Sequence, residues 1–301
     1  MRPPSISSVI ERRLLVNYRV APEVAASLLP APLRPQLVNG WAVAGICLIR
    51  LGRLRPSWAP GWAGMRTENA AHRVAVEWDG TVGRQSGVYI PRRDSDSLAT
   101  VLAGGRLFPG EHHRAAFDVR ETARDLHVAF TSTDGTAHVS TDISVAQRLQ
   151  GSALFAGLRE ASDFFRHGSA GFSATRHSGR LDGLELRADG WVVEPAEVHA
   201  VRSSFFEDAR LFPPGSATLD CTLLMRDIPV TWTAVPPPEC LSRSSVASNA
   251  TDRIVTWTAR DTPPRLSTAA SLPASGHEHM RPPRVTSGLV TMPYWPSSAT
   301  R

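Results

Sequence analysis

The stretch AGGRLFPGEHHR, residues 103–114, ends near two adjacent histidines. Imidazole exchanges a proton near neutral pH, so His112 or His113 could serve as a general base while its neighbour orients or donates. Adjacent imidazoles also oppose each other's protonation. Glu68, in TENAAHR, adds a carboxylate, with His72 four residues further on. These types suit acid–base chemistry on a polarised carbonyl, with His113, His112 and Glu68 as the catalytic candidates. Arg106 and Tyr89 are the candidates for binding substrate, Arg106 through a bidentate fork on a carboxylate. Each has a structural alternative. Glu68 could pair with Arg66 or Arg73, Arg106 could close the glycine loop in an ion pair, and Tyr89 could be a core residue with a satisfied hydroxyl. If HHRAAF is a strand, the two imidazoles point to opposite faces unless the chain bulges.

Other chemistries are excluded or disfavoured. All 33 basic residues are arginine, so no lysine can form a Schiff base. A metal site would need Glu68 and His72 on one helical face with His112 or His113 as a third ligand, but HRVAVEW alternates like a strand. Neither GxxxxGK[ST] nor GxGxxG follows Gly104–Gly105, which removes a nucleotide loop. Neither a metal nor a cofactor is expected.

Elements able to position these residues follow from periodicity. Leu14, Val16, Tyr18 and Val20 alternate onto one face of a first strand, and APEVAASLLP makes a short helix. Trp41 to Leu51 is apolar on both faces, as in a central strand. TENAAHRVAVEW and RQSGVYIP are strands joined at Asp79–Gly80. DSDSLATVLAGG reads as a short helix and SALFAGLREASDFFRHG as a longer amphipathic one. Strands are expected at HHRAAFDVRE, DLHVAFTS, AHVSTDISVA, LELRA, GWVVEPAEVHAV, ATLDCTLLMR and IPVTWTAV. The fold class is α+β, a mainly antiparallel closed or barrel-like sheet with a few short helices.

The 301 residues are 42% hydrophobic, enough for a sizeable core. The net charge of +5 divides into +2 for residues 1–235 (26 Arg, 24 acids) and +3 for 236–301 (7 Arg, 4 acids). A nearly balanced body with scattered arginines argues against a nucleic-acid footprint. The last 66 residues hold 10 of the 24 prolines with no sustained period, and are expected to be a disordered tail outside a domain of residues 1–235. Three cysteines at 47, 221 and 240 have no metal-type spacing. The N-terminus lacks an apolar signal region and no apolar run approaches a membrane span, so a cytoplasmic protein without membrane contact is expected.

Several stretches together resemble a known family: VNYRVAPEVAASLLPAPL, TENAAHRVAVEW, GVYIPRRDSDS, AGGRLFPGEHH, SSFFEDARLFPPGSA and LLMRDIPVTW. They are similar to the YqjF-like bacterial family of unknown function, in the acetoacetate decarboxylase-like superfamily, over about Val9 to Trp232. The resemblance implies a cone-shaped antiparallel sheet around a pocket. His112 and His113 fall where the decarboxylase carries its lysine pair, and Glu68 matches its Thr-Glu-Ser glutamate. The decarboxylase's other pocket glutamate has no counterpart in AVAGICLIR, and with histidines in place of the lysine nucleophile imine-based decarboxylation is not available. The resemblance leaves two functions open, each with a small organic acid or carbonyl compound as ligand. One is a cofactor-independent lyase, hydratase or isomerase using a histidine with Glu68. The other is a non-catalytic binding or sensing protein. A homo-oligomer is compatible with either.

Overall fold

Two apolar stripes run along β1 (Ser5–Val20), one on each face. Leu14, Val16 and Tyr18 enter one buried cluster, Ile10 and Leu15 another. In a strand successive side chains leave opposite faces, so β1 must be covered on both sides. The next long strand, β4 (Trp41–Pro56), repeats the division: Ala44, Ile46 and Leu48 join the first cluster, Val43, Cys47 and Ile49 the second. Fully buried leucines such as Leu15, Leu48 and Leu223 each stabilise the fold by about 2 kcal/mol.

The computed structural model describes residues 5–81, 83–103, 110–175 and 180–238, so Arg106 and Cys240 lie outside the described residues. Between β1 and β4 lie α1 (Pro22–Ser27), β2 (Arg34–Pro35) and β3 (Leu37–Val38). Then come β5 (Met65–Gly80), β6 (Gly83–Ser95), α2 (Leu98–Ala103), β7 (His112–Glu121), β8 (Asp125–Ser132) and β9 (His138–Val145). The chain continues with α3 (Leu158–His167), β10 (Ala170–Ala174), β11 (Leu181–Ala188), β12 (Glu194–Ser203) and β13 (Ala217–Val235).

All the strands among the described residues belong to one 13-stranded sheet, antiparallel except where β6 meets β7 and β10. The sheet closes twice. One ring of pairings runs β6–β7–β8–β9–β12–β13–β1–β4–β5 and returns to β6. The other runs β11–β10–β6–β5–β4–β1–β13 and returns to β11. The strands β13, β1, β4, β5 and β6 are common to both, and form a wall with one face toward each ring. The first apolar cluster takes one side of this wall, with Phe130, Phe206 and Phe212. The second takes the other, with Leu186 of β11 and Ala161 and Phe165 of α3. Gly45 allows the wall to close tightly, because a Cβ there would lie 2.4 Å from the Val16 carbonyl oxygen.

The expected mainly antiparallel closed sheet is what the chain forms, with local differences. Pairing of β5 with β6 persists through Asp79–Arg84 and Gly80–Gly83, which moves the turn beyond Asp79–Gly80. ATLDCTLLMR and IPVTWTAV are one continuous strand, β13, with Asp227 at φ 54° where two strands were expected. Helix α3 begins at Leu158, later than SALFAG suggested. Asp220 accepts the Ala153 N–H at 2.8 Å and the Ser152 hydroxyl, while that hydroxyl accepts the Phe155 N–H at 3.0 Å. These bonds hold the segment in turns and let Leu154 and Phe155 plug the second cluster. No helix among the described residues is long and apolar enough to cross a membrane.

Candidate functional site

A cavity of about 80 Å³ lies on the second-ring side of the shared wall. Its apolar lining comes from Ile49, Leu51 and Leu54 of β4, Ala71 of β5, Leu184 of β11 and Trp232 of β13. Its polar lining includes Asn69, Arg93, Asp94, Thr100 and His112, the Asp94 carboxylate being held by Arg92. At about 30 Å³ per water, the cavity has room for about two or three waters.

Strand pairing brings the polar groups together. Ala71 pairs with Arg93 across β5 and β6, and Arg93 pairs with His112 across β6 and β7. Arg93 lies deep in the fold yet keeps accessible surface, and its Nε donates to the Ser173 hydroxyl at 3.2 Å. Burial lowers its pKa to about 10, so it remains a cation at neutral pH. Among the described residues no carboxylate pairs with it. Thr100 is 4% exposed, and its hydroxyl has no hydrogen-bond partner among the described residues. Asn69 is held within the sheet by Thr67 Oγ1 at 2.8 Å and the Ser95 hydroxyl at 2.8 Å. Burial lowers His112 to about 3, with the Arg93 charge acting the same way and a hydrogen bond to the Gly110 backbone opposing it. His112 is therefore a neutral imidazole at physiological pH.

His113 turns to the other face, where its Nδ1 lies 2.9 Å from Asp134 Oδ2. Hydrogen bonds from the Ser132 and Thr136 hydroxyls hold the Asp134 carboxyl far below the usual range. Arg92 clasps Asp94 through Nε and Nη2, both at 2.9 Å.

Glu68 also belongs to that face, which corrects its expected convergence with the cavity histidine. Asn69 lines the cavity, and strand alternation sends its neighbour Glu68 the opposite way. There Arg12 Nη2 donates to Glu68 Oε2 at 2.6 Å, and Arg50 Nε donates to Oε1. Arg12 and Arg50 both also bond Glu121, giving a balanced set of two cations and two anions. Neither Arg66 nor Arg73 is the partner. Tyr89 is corrected as well: it packs in a small core with Leu33, Val76 and Phe172, away from the cavity. His72 shares the Glu68 face and lies against Phe205, with ring centroids 4.6 Å apart.

Sequence reasoning missed Arg93, Thr100 and two further arginines, Arg13 and Arg73. Arg73 is 3% exposed; its Nη2 donates to Asn17 Oδ1 and its guanidinium sits 4.7 Å from the Phe165 ring. Arg13 Nε donates to Cys47 Sγ at 3.4 Å, and its guanidinium lies 5.7 Å from the Trp191 ring. The available signal was a pair of arginine doublets inside strands, Arg12–Arg13 and Arg92–Arg93, each of which must send one cation to either face.

Comparison with known proteins gives a family and a fold. The profile of the family DUF2071, described as an uncharacterised conserved protein, matches residues 9–224. No curated protein matches the chain. Acetoacetate decarboxylase from Legionella pneumophila is 13% identical, with a TM-score of 0.50 over 78% of this chain and 88% of that one. An acetoacetate decarboxylase-like enzyme from Sphingomonas wittichii RW1 is 14% identical, with a TM-score of 0.50 over 79% of this chain and 94% of that one. At these identities the likeness establishes an acetoacetate decarboxylase-like fold.

Proposed function

Since the chain belongs to DUF2071, a family of uncharacterised proteins, we propose its function from its cavity: it binds a small organic acid of about three or four carbons. The carboxylate seats on the Arg93 guanidinium, and the Thr100 hydroxyl and the neutral His112 imidazole meet its remaining oxygens. The observation that carries this is Arg93 itself, a deep cation at a cavity wall that makes no ion pair among the described residues, Asp94 at the same wall being taken by Arg92. A buried charge is costly unless paired, and a ligand carboxylate is the group that pairs it. The apolar remainder, from Ile49 to Trp232, suits a short carbon chain.

Binding without turnover is favoured over the lyase, hydratase or isomerase reading. His112 is the sole candidate acid–base group of the original set on the cavity side, because His113 and Glu68 face the other ring. An imidazole held near 3 is also a weak base. Orientation of a ligand oxygen by hydrogen bonding is the work it suits.

Calorimetric titration with pyruvate and propionate tests the proposal. Wild-type protein should bind at least one of them with 1:1 stoichiometry, and Arg93→Met should weaken binding by more than tenfold. Binding that ignores Arg93→Met would reject the site. A proton NMR time course on the same mixtures addresses turnover: consumption of ligand that His112→Gln abolishes would restore the enzyme reading.

A further inference from the structure

We infer that the acid held in this cavity is a dicarboxylate, selected by a cationic field from Arg13, Arg73 and Arg93 together. The inference rests on the binding proposal above and names the ligand class for that site.

Charge is balanced on one side of the shared wall and unbalanced on the other. Facing the first ring, Arg12 and Arg50 meet Glu68 and Glu121, and Arg92 meets Asp94. Facing the second ring, Arg13, Arg73 and Arg93 have no carboxylate partner among the described residues. Their contacts are neutral: Cys47, Met225, Asn17 and Ser173, together with two aromatic rings. The undescribed residues before position 239 contain no acid to supply one. On the cavity face Arg19 meets the buried Asp220, but among the described residues Arg13, Arg73 and Arg93 have no carboxylate partner.

Arg93 lines the cavity, and Arg13 and Arg73 lie behind its wall, linked to it through Cys47 and Ala71. Cys47 pairs with Ala71, which lines the cavity and pairs in turn with Arg93. Arg73 lies two residues along β5 from Ala71, about 7 Å away on the same face. Its Nε is buried without a hydrogen-bond partner among the described residues. Arg13 contacts Cys47 directly. One ligand carboxylate on Arg93 offsets one of three charges, whereas a second carboxylate directed toward Arg73 and Arg13 offsets another. Apolar surroundings such as Leu15, Leu223 and Phe165 screen little, so the second charge is felt strongly.

Titration calorimetry with acids matched in length tests this: malonate against propionate, and succinate against butyrate. The diacid of at least one pair should bind on the order of tenfold more tightly than its monoacid. Arg73→Met should bring the ratio close to one, and Arg13→Met, at a half-buried position, should lower it and serves if Arg73→Met fails to fold. Equal affinities within both pairs would overturn the dicarboxylate assignment while leaving the binding proposal intact. A preference unmoved by either substitution would overturn the role of the cationic field. Failure of every acid to bind wild-type protein would overturn both.

Discussion

Glu68 and His112 lie on opposite faces of the wall that the two rings share. Glu68 belongs to the face of Ala70 and Val74, toward the first ring, where Arg12 and Arg50 hold its carboxylate. His112 lines the cavity with Asn69 and Ala71 on the second-ring side. Glu68 and the histidine expected to share one pocket with it are therefore divided between two interiors. Among the described residues the arginines facing the first ring are paired, whereas Arg13, Arg73 and Arg93 on the cavity side are not.

Glu68→Gln should damage stability and leave ligand binding in place. It removes a charge that Arg12, only 2% exposed, depends on. Breaking a buried pair in this way costs about 3 kcal/mol, visible as a lowered melting temperature. Propionate or malonate affinity should change by less than threefold, because the carboxylate faces away from the cavity. A large loss of affinity in a folded Glu68→Gln protein would place Glu68 in the site.

Acid should destabilise the fold from the pH at which an unfolded histidine titrates. Burial, with the Arg92 charge as the second cause, holds His72 at about 3. Below about pH 6.5 the unfolded chain takes up the proton while folded His72 does not, so stability falls as pH drops toward 3. Each such histidine contributes a slope of up to about 1.4 kcal/mol per pH unit. His72→Phe removes one of them, and also removes two ring nitrogens that have no hydrogen-bond partner among the described residues. Urea unfolding at pH 7 and pH 4.5 should show the variant losing about 2–3 kcal/mol less than wild type across that interval. Equal losses in both proteins would mean that His72 titrates normally.

Borohydride should trap no imine between the protein and acetoacetate or another β-keto acid. The chain has no lysine, which leaves the terminal amine as the one imine-forming group. Intact-mass spectrometry checks this, and an adduct mapped away from the N-terminus would contradict it.

We propose that residues 1–235 fold without the segment that follows. β13 ends at Val235, and the later sequence is rich in proline, serine and threonine without apolar period. A chain ending at Val235 should melt within a few degrees of the full-length protein. An insoluble or unfolded product would show that the last 66 residues are needed for folding.

Much of the fold was legible because alternation in a strand is local. AVAGICLI, apolar on both faces, announced a strand covered on both sides, and β4 is the centre of the shared wall. β10 was not legible: it is five residues long, and its parallel register with β6 covers only Gly171 and Phe172. The site was half visible. Two adjacent histidines on a strand must separate, but which one meets a cavity depends on where the sheet closes. The arginine doublets could be seen, and their charge balance could not. Arg12 finds its carboxylates 56 and 109 residues away, and no sequence spacing reveals that Arg13 and Arg93 find none among the described residues.

A crystal structure of the protein grown with malonate or propionate tests the central claim most directly. The account predicts the acid beside Trp232, with a carboxylate about 3 Å from the Arg93 guanidinium and its remaining oxygens toward Thr100 and His112. An acid bound on the Glu68 side of β5, or Arg93 paired with a carboxylate from elsewhere in the chain, would contradict it.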